Sequence, residues 1–350
     1  MAISKIKNYL FYFLLLCLVA VLTELLCFTF YKLNPGSIFG WQFDRKAFNQ
    51  VYKSSSPYGW LSSEPMPRPD NFDGPECTVA FGDSFTFGEE VQQNQTWESF
   101  ASRLLGCKIS TYGVGGYGLD QALLLYEGLK TQSSLVIVGL YPEMMKRNVA
   151  ASWIFYGSQK DKPLKPYFML DDASGTVKLV PMPEDESIES VKAYHRHDIF
   201  FQAYDINFPY AFHTMKAVYL RTRQILSKRL PLLKDPRATD IQTKLLHRFK
   251  LAIQKAHATA AFLVLPSHIE IIKGEFSYLK QLQDDKALSP TDCIINPGPE
   301  LHAALTNDQK IFAPAGHLSE LGNLILAKVI ATQLETCKLL SIKHISLDSH

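Results

Sequence analysis

The 350-residue chain has almost no charge imbalance: 36 Lys and Arg stand against 34 Asp and Glu, a formal net charge of +2. It has no dense Lys/Arg stripe either, so it lacks the electrostatic footprint of a nucleic-acid or polyanion binder, and no nucleic-acid partner is expected. There is no C-x-x-C and no His/Cys cluster at ligand spacing, which argues against a structural zinc site, and no metal or cofactor is expected. It also lacks internal repeats and low-complexity tracts, so a solenoid or a disordered chain is not the expectation. What it does have is 47% hydrophobic residues, ample for the core of one large α/β domain or two small ones.

The amino terminus is different in kind. Residues 9–30, YLFYFLLLCLVAVLTELLCFTF, are 22 residues with Glu24 as their one charge. As a helix this run is long enough to cross about 30 Å of hydrocarbon, and it has no polar face of the sort a surface helix carries. No A-x-A-like site follows it, which favours an uncleaved anchor over a removed signal peptide. Lys5 and Lys7 precede the run and only Lys32 follows closely. The positive-inside tendency then puts residues 1–8 in the cytoplasm, 9–31 in the membrane and the remainder outside, in the periplasm if the cell is Gram-negative. A single-pass membrane protein with an extracytoplasmic domain is expected.

That orientation makes the cysteines informative. Cys17 and Cys27 lie in the span, whereas Cys77, Cys107, Cys293 and Cys337 would sit in an oxidising compartment. Cys77 lies seven residues before Ser84 and Cys107 six before Gly113. If the two strands are parallel neighbours, both cysteines begin them at similar height, and a bridge between them is one reading; buried free thiols are the other.

Residues 32–75, rich in proline, read as a lead-in to the domain. Beyond them, strand-like residues 78–81, 108–112 and 135–141 alternate with helix-like residues 96–105 and 119–129. Such alternation implies a parallel sheet covered on both faces. The regularity breaks at about residues 150–235, an insertion containing a two-strand pattern around residues 166–180 and a helical one at 210–230, and it could cap a site. It returns with helical residues 239–257, a strand at 260–265 and a last helix at 319–340. One domain over residues 76–345, interrupted by the insertion, is expected.

Three segments carry candidate chemistry. In AFGDSFTFGEEV, residues 80–91, a buried strand stops at a sharp turn, so Ser84 is either a nucleophile or a helix N-cap. TYGVGGYG, residues 111–118, has glycines that let a backbone amide approach a ligand closely. It also fits G-x-G-x-x-G, but it follows the domain's second strand and no acid ends the next one, which argues against a dinucleotide site. In APAGHLSELGNLILA, residues 313–327, His317 precedes a helix that Ser319 would cap.

Taken together, FGDSFTFG, YGVGGYGLDQALL and HLSELGNLILA resemble the SGNH (GDSL-type) hydrolase superfamily, over roughly residues 57–150 and 240–338. The Tyr58-Gly59-Trp60 upstream matches its long-form bacterial members. The resemblance implies a three-layer α/β/α sandwich with a central parallel sheet. It implies Ser84 as nucleophile, His317 as general base, and the amides of Ser84 and Gly116 as oxyanion-hole donors. It would place the triad acid two or three residues before the histidine, where this chain has Ala315 and Pro314. Thr111 stands in for the second-block asparagine, and Pro142, Glu143 or Met144 for the third. Asp308, Glu320 and Glu143 are carboxylates that could act from elsewhere, with none assigned.

The expected activity is therefore serine-dependent acyl-ester hydrolysis or O-acyl transfer on an extracytoplasmic carbohydrate or another envelope ester. The alternative is a catalytically degenerate SGNH-like protein that binds envelope glycan. Aromatic residues of the insertion, Trp153, Phe155, Tyr156, Tyr167 and Phe168, either stack on sugar or build its core.

Overall fold

The computed structural model describes residues 2–33, 37–38, 41–42, 56–60, 72–151, 164–171, 173–184, 208–227 and 236–342, with a few single positions between 190 and 198. The chain divides into two compact units, one of residues 1–53, 150–164 and 183–234, the other of residues 54–149, 165–182 and 235–350.

The first unit opens with helix α1 (Ala2–Leu33). Its segment Ile6–Phe30, with a mean hydropathy of 2.5, is long and apolar enough to cross a membrane.

The second unit is α/β. Strand β1 (Glu76–Gly82) leads into a single helical turn, α2 (Ser84–Phe87), and then α3 (Trp97–Leu105). There follow β2 (Lys108–Gly113), α4 (Leu119–Leu129), β3 (Leu135–Leu140) and α5 (Met144–Asn148). The hairpin β4 (Tyr167–Asp171) and β5 (Thr176–Val180) comes next; α6 (Tyr210–Ser227) returns to the first unit. The second unit resumes with α7 (Pro236–Lys255), β6 (Thr259–Val264), α8 (His268–Lys273) and α9 (Ser277–Asp284). It closes with β7 (Cys293–Ile295), α10 (Gly298–Thr306) and α11 (Glu320–Thr336).

The main sheet has five strands in the order β2-β1-β3-β6-β7, all neighbours parallel. Two-residue periodicity sorts its side chains between two cores. Ala80, Ile109, Ile137, Ala261 and Leu263 face Trp97 and Leu105 of α3, Leu301 of α10, and Leu326 and Ile330 of α11. On the other face Phe81 meets Tyr126 of α4 and Phe249 of α7, ring centroids 5.3 and 6.4 Å away. Both faces are covered, and β3 is buried along its whole length, which is why it reads as an unbroken apolar run. The architecture is the three-layer α/β/α sandwich that the resemblance implies.

The helices follow from local chemistry. Thr96 caps α3 with its side chain on Ser99 N, and Gly106 ends it in the left-handed region. Ser319 caps α11 through Gly322 N. Cys77 is bonded to Cys107, the cysteines that begin β1 and β2, and Cys293 on β7 to Cys337 behind α11.

The hairpin inside the expected insertion belongs to the sheet's unit. Tyr167 and Phe168 are both 1% exposed, and the Arg248 guanidinium of α7 lies 5.0 Å from the Phe168 ring. These two aromatics build core and do not present a sugar-stacking surface. Trp153, Phe155 and Tyr156 lie outside the described residues.

Candidate active site

Ser84 opens α2 directly beyond the carboxyl end of β1. The helix turns there because Asp83, the N-cap, accepts from Phe85 N at 3.1 Å through Oδ1. It stops after one turn because Gly88, at φ 69°, caps it in the left-handed region. Thr86 wedges the turn against the sheet: a Cβ on either Gly82 or Gly139 would fall 2.1 Å from its Oγ1. The Thr86 carbonyl accepts from Trp97 Nε1 and Thr111 Oγ1, both at 3.1 Å. Thr111, at the place of the second-block asparagine, is thus spent on holding the serine's turn.

The glycine loop lies beside it, after β2. Val114 N donates to Gly82 O at 3.1 Å, and Tyr117 N to Val114 O at 3.1 Å, closing a turn over Gly115 and Gly116. Gly116 sits at φ 82°, where a side chain would be strained. Gly113 has no room for one: its Cβ would fall 2.4 Å from Phe87 N and 2.8 Å from Asp83 O, both backbone atoms. Neither the Gly116 N–H nor the Ser84 N–H has a hydrogen-bond partner among the described residues.

The third segment, Ile311 to Ser319, loops back to present the histidine. Phe312 bridges Leu318, Ala313 N donates to His317 O at 2.8 Å, and Gly316 makes the turn at φ 102°. The His317 ring then lies 4.9 Å from that of Phe85, which on its other flank stacks on Tyr141 at 4.5 Å. The three segments that the sequence singles out therefore meet at one place. No hydrogen bond joins Ser84 Oγ to His317 among the described residues, and Ser84 is 6% exposed.

The carboxylate missing from positions 314 and 315 comes from a residue that the sequence reading passes over. Glu90 Oε2 accepts from His317 Nδ1 at 2.7 Å and from His317 N at 2.8 Å, while Oε1 accepts from Ala315 N at 2.7 Å. Burial pushes the Glu90 carboxyl up, but those two amides, the ring's hydrogen bond and its charge together hold it below its ordinary value. Glu90 is at φ 70°, unusual for a residue with a side chain, a conformation that costs about 1–3 kcal/mol. Of the three carboxylates considered from the sequence, Glu320 accepts instead from Gln95 Nε2 at 2.8 Å, Glu143 pairs with Lys146 at 2.6 Å, and Asp308 has no bond to His317. The signal available was the pair Glu89-Glu90 placed immediately after the FTFG turn.

With a proton on Nδ1 directed at Glu90, the neutral imidazole presents Nε2 as a base. Glu89 Oε2 lies 3.5 Å from that Nε2. Its other oxygen lies 2.1 Å from the place a Gly115 Cβ would take, so Glu89 spans the gap between the glycine loop and the histidine.

No asparagine stands at the third block. Instead Arg147 reaches back from α5, donating to Asp83 Oδ2 at 2.9 Å and to Tyr117 O at 3.1 Å, and so ties the serine's turn to the glycine loop. Asn148 is fully buried and bonds Asp120 N and Gln242. The long-form residues are structural too: Gln121 Nε2 holds Tyr58 O at 2.9 Å, and Asp120 is paired with Lys165, both fully buried. Burial pushes the Asp120 carboxyl up, and the Lys165 ammonium only partly offsets it.

No family model and no curated protein matches the chain. Among solved structures it is similar to two described as lipolytic proteins of the G-D-S-L family. One is from Desulfitobacterium hafniense (12% identity, TM-score 0.34, covering 73% of this chain and 98% of that one). The other is from Veillonella parvula (14%, 0.35, 74% and 97%). A third is a carbohydrate esterase whose active site is described as displaying divergent catalytic and non-catalytic binding functions (13%, 0.33, 78% and 69%).

Proposed function

We propose that the chain is a serine-dependent acyl-ester hydrolase or O-acyltransferase, with Ser84, His317 and Glu90 as its triad, acting on an O-acylated carbohydrate outside the membrane. The observation that carries this reading is the contact of Glu90 with His317: a carboxylate on Nδ1, fixed by two backbone amides, is what turns an imidazole into an oriented base. A serine hydroxyl is a weak nucleophile until such a base takes its proton.

In the reaction, Ser84 Oγ bonds to the ester carbonyl carbon as its proton passes to His317 Nε2. The Ser84 and Gly116 amides, neither of which has a partner among the described residues, receive the developing oxyanion. Collapse breaks the bond to the sugar oxygen, which leaves with the proton from Nε2, and the acyl group remains on Ser84. Water, or a second sugar hydroxyl, then attacks with His317 again as base; the acyl group departs as free acid or as the new ester. With no asparagine at the third block to supply a side-chain donor, the site forgoes about 10²–10³ in rate.

The placement outside the membrane is supported by the apolar Ile6–Phe30 helix and by two disulfides in the sheet's unit, which suit an oxidising compartment. Esters there belong to glycans, lipids and exported polymers, and O-acyl carbohydrate is the class we favour.

A second reading, a glycan binder without turnover, is favoured by Glu89. Its carboxylate occupies the approach to Nε2, and no bond joins Ser84 to His317 among the described residues.

The deciding experiment is an activated fluorophosphonate probe on the detergent-solubilised full chain, read by intact mass, with Ser84→Ala and His317→Ala beside the wild type. One adduct on the wild type, abolished by both substitutions, is the expected result. A folded wild type that takes up no probe would overturn the enzyme reading in favour of the binder.

A further inference from the structure

Glu24 is the one charge between residues 9 and 30. A carboxylate in an apolar span is costly, so its partner matters. It accepts from the backbone N–H of Tyr210 and, at 2.8 Å, from that of Ala211, the first two residues of α6. The first N–H groups of any helix lack an internal acceptor and carry the positive end of its dipole. The span's only charge thus caps a second helix. Phe28, one turn further along α1, meets the Tyr210 ring at 5.1 Å. Between Ile6 and Phe30 only Glu24, Cys27 and Phe28 are partly covered, so the described contact is confined to the start of α6.

This contact sets the depth of α6. Glu24 lies six residues before Phe30, the end of the apolar segment, which is about 9 Å along a helix. Helix α6 therefore starts about 9 Å short of the end of the apolar segment. Just before that start Phe208 is 75% exposed, and along the helix Phe212, Met215 and Tyr219 are 59, 66 and 61% exposed. The spacing of three and four residues from 212 to 219 makes a single stripe on the helix. Lys216, beside the stripe, is exposed as well. Within α6 the sequence has no Asp or Glu and three Lys or Arg: Lys216, Arg221 and Arg223.

We infer that α6 is a second membrane contact: it lies in the outer interface, its apolar stripe among acyl chains. The inference rests on the reading of α1 as a membrane span. An aqueous setting would leave four large apolar side chains in water beside a hydrophobic helix; the bilayer that receives α1 covers them without any further partner. A helix with an exposed apolar stripe and no acidic residue is of the kind that lies in a membrane interface.

The test uses the full chain with Cys17→Ser and Cys27→Ser, in vesicles of phosphatidylcholine and phosphatidylglycerol. A bimane label is placed by Phe212→Cys, by Tyr219→Cys, by Leu14→Cys in the span, or by Lys280→Cys on exposed α9. Quenching is read from acyl-brominated lipid and from aqueous iodide. Labels at 212 and 219 should follow the one at 14, quenched by brominated lipid and severalfold less accessible to iodide than the label at 280. If 14 is quenched by lipid while 212 and 219 are as open to iodide as 280, the span stands and the interfacial helix falls. If 212 and 219 are shielded from both quenchers, protein covers the stripe and the inference is wrong. If 14 itself escapes the brominated lipid, the span reading has failed, and the inference with it.

Discussion

Glu90 Oε2 accepts two hydrogen bonds from His317, one from ring Nδ1 at 2.7 Å and one from the backbone amide at 2.8 Å. One carboxylate therefore fixes both the place of the histidine and its tautomer, across 227 residues of chain. If this is the triad acid, Glu90→Gln keeps the shape and loses the tautomer preference. Fluorophosphonate labelling should slow by about 10²- to 10⁴-fold, with substrate KM little changed. Glu90→Asp, one methylene shorter, should recover only part. A Glu90→Gln variant that labels at the wild-type rate would remove Glu90 from the mechanism.

The same contact sets a pH signature. The Glu90 carboxyl is held below its ordinary value of 4.5, burial opposing and the His317 and Ala315 amides prevailing. A carboxyl depressed in the folded state contributes stability that is fully present above the unfolded value and is lost as pH falls through the folded one. The gap in urea-unfolding stability between wild type and Glu90→Gln should hold steady from about pH 7 to about pH 5 and close progressively below 4.5. A gap that persists undiminished at the acid end would show that it comes from packing and not from the carboxylate's charge.

Most of the fold was legible because buried parallel strands and amphipathic helices write their period into the chain. Leu119–Leu129 and the two strands that carry Ser84 and the glycine loop stand where alternation places them. Counting back along paired strands left the Cys77–Cys107 bridge as one of two readings beside free thiols; the structure has the bridge, with Glu76 the partner of Lys108. Strand β7 was not legible: Cys293–Ile295 is three residues long, too short to show a period, and pairs along one side only. Glu90 was hard to read for a different reason. The acidic pair after the FTFG turn marks it only weakly, because its role comes from a left-handed turn after Gly88 and from a loop far along the chain. Arg147 likewise takes its meaning from Asp83, 64 residues away.

Gly113 is expected to be the least tolerant glycine of the site. An alanine there would press its Cβ on the backbone of Phe87 and Asp83 at 2.4 and 2.8 Å, and neither can yield without moving the serine's turn. Gly113→Ala should therefore cut probe labelling well before it unfolds the chain, with overpacking costing about 1–3 kcal/mol. Gly175→Ala on the β4–β5 turn meets nothing within 4 Å and tests strain alone, at φ 65°. Equal labelling by the two variants would contradict the tight approach of the glycine loop to α2.

The disulfides are predicted to hold the sheet without touching the chemistry. Closing loops of 30 and 44 residues stabilises the fold by about 3.5–4 kcal/mol each in the loop-entropy account. Cys77→Ala with Cys107→Ala should lower the urea-unfolding free energy by an amount of that order, yet label at the wild-type rate in the cold. Loss of labelling in chain still folded by circular dichroism would mean that this bridge positions Ser84 directly.

The Arg147–Asp83 pair makes the sharpest claim about the missing third-block asparagine. Asp83 is 1% exposed, and its carboxylate serves α2 through Phe85 N and α5 through Arg147, which also holds Tyr117 O. Removing the cation alone, in Arg147→Met, leaves a buried charge uncompensated and should cost about 3–5 kcal/mol. Asparagine caps a helix as well as aspartate does, so Asp83→Asn with Arg147→Met should regain much of that stability. It should not regain labelling, because Tyr117 O stays untethered and the glycine loop loses its link to the serine's turn. A double variant that recovers both stability and labelling would reduce Arg147 to a charge partner of Asp83 and leave the glycine loop to hold itself.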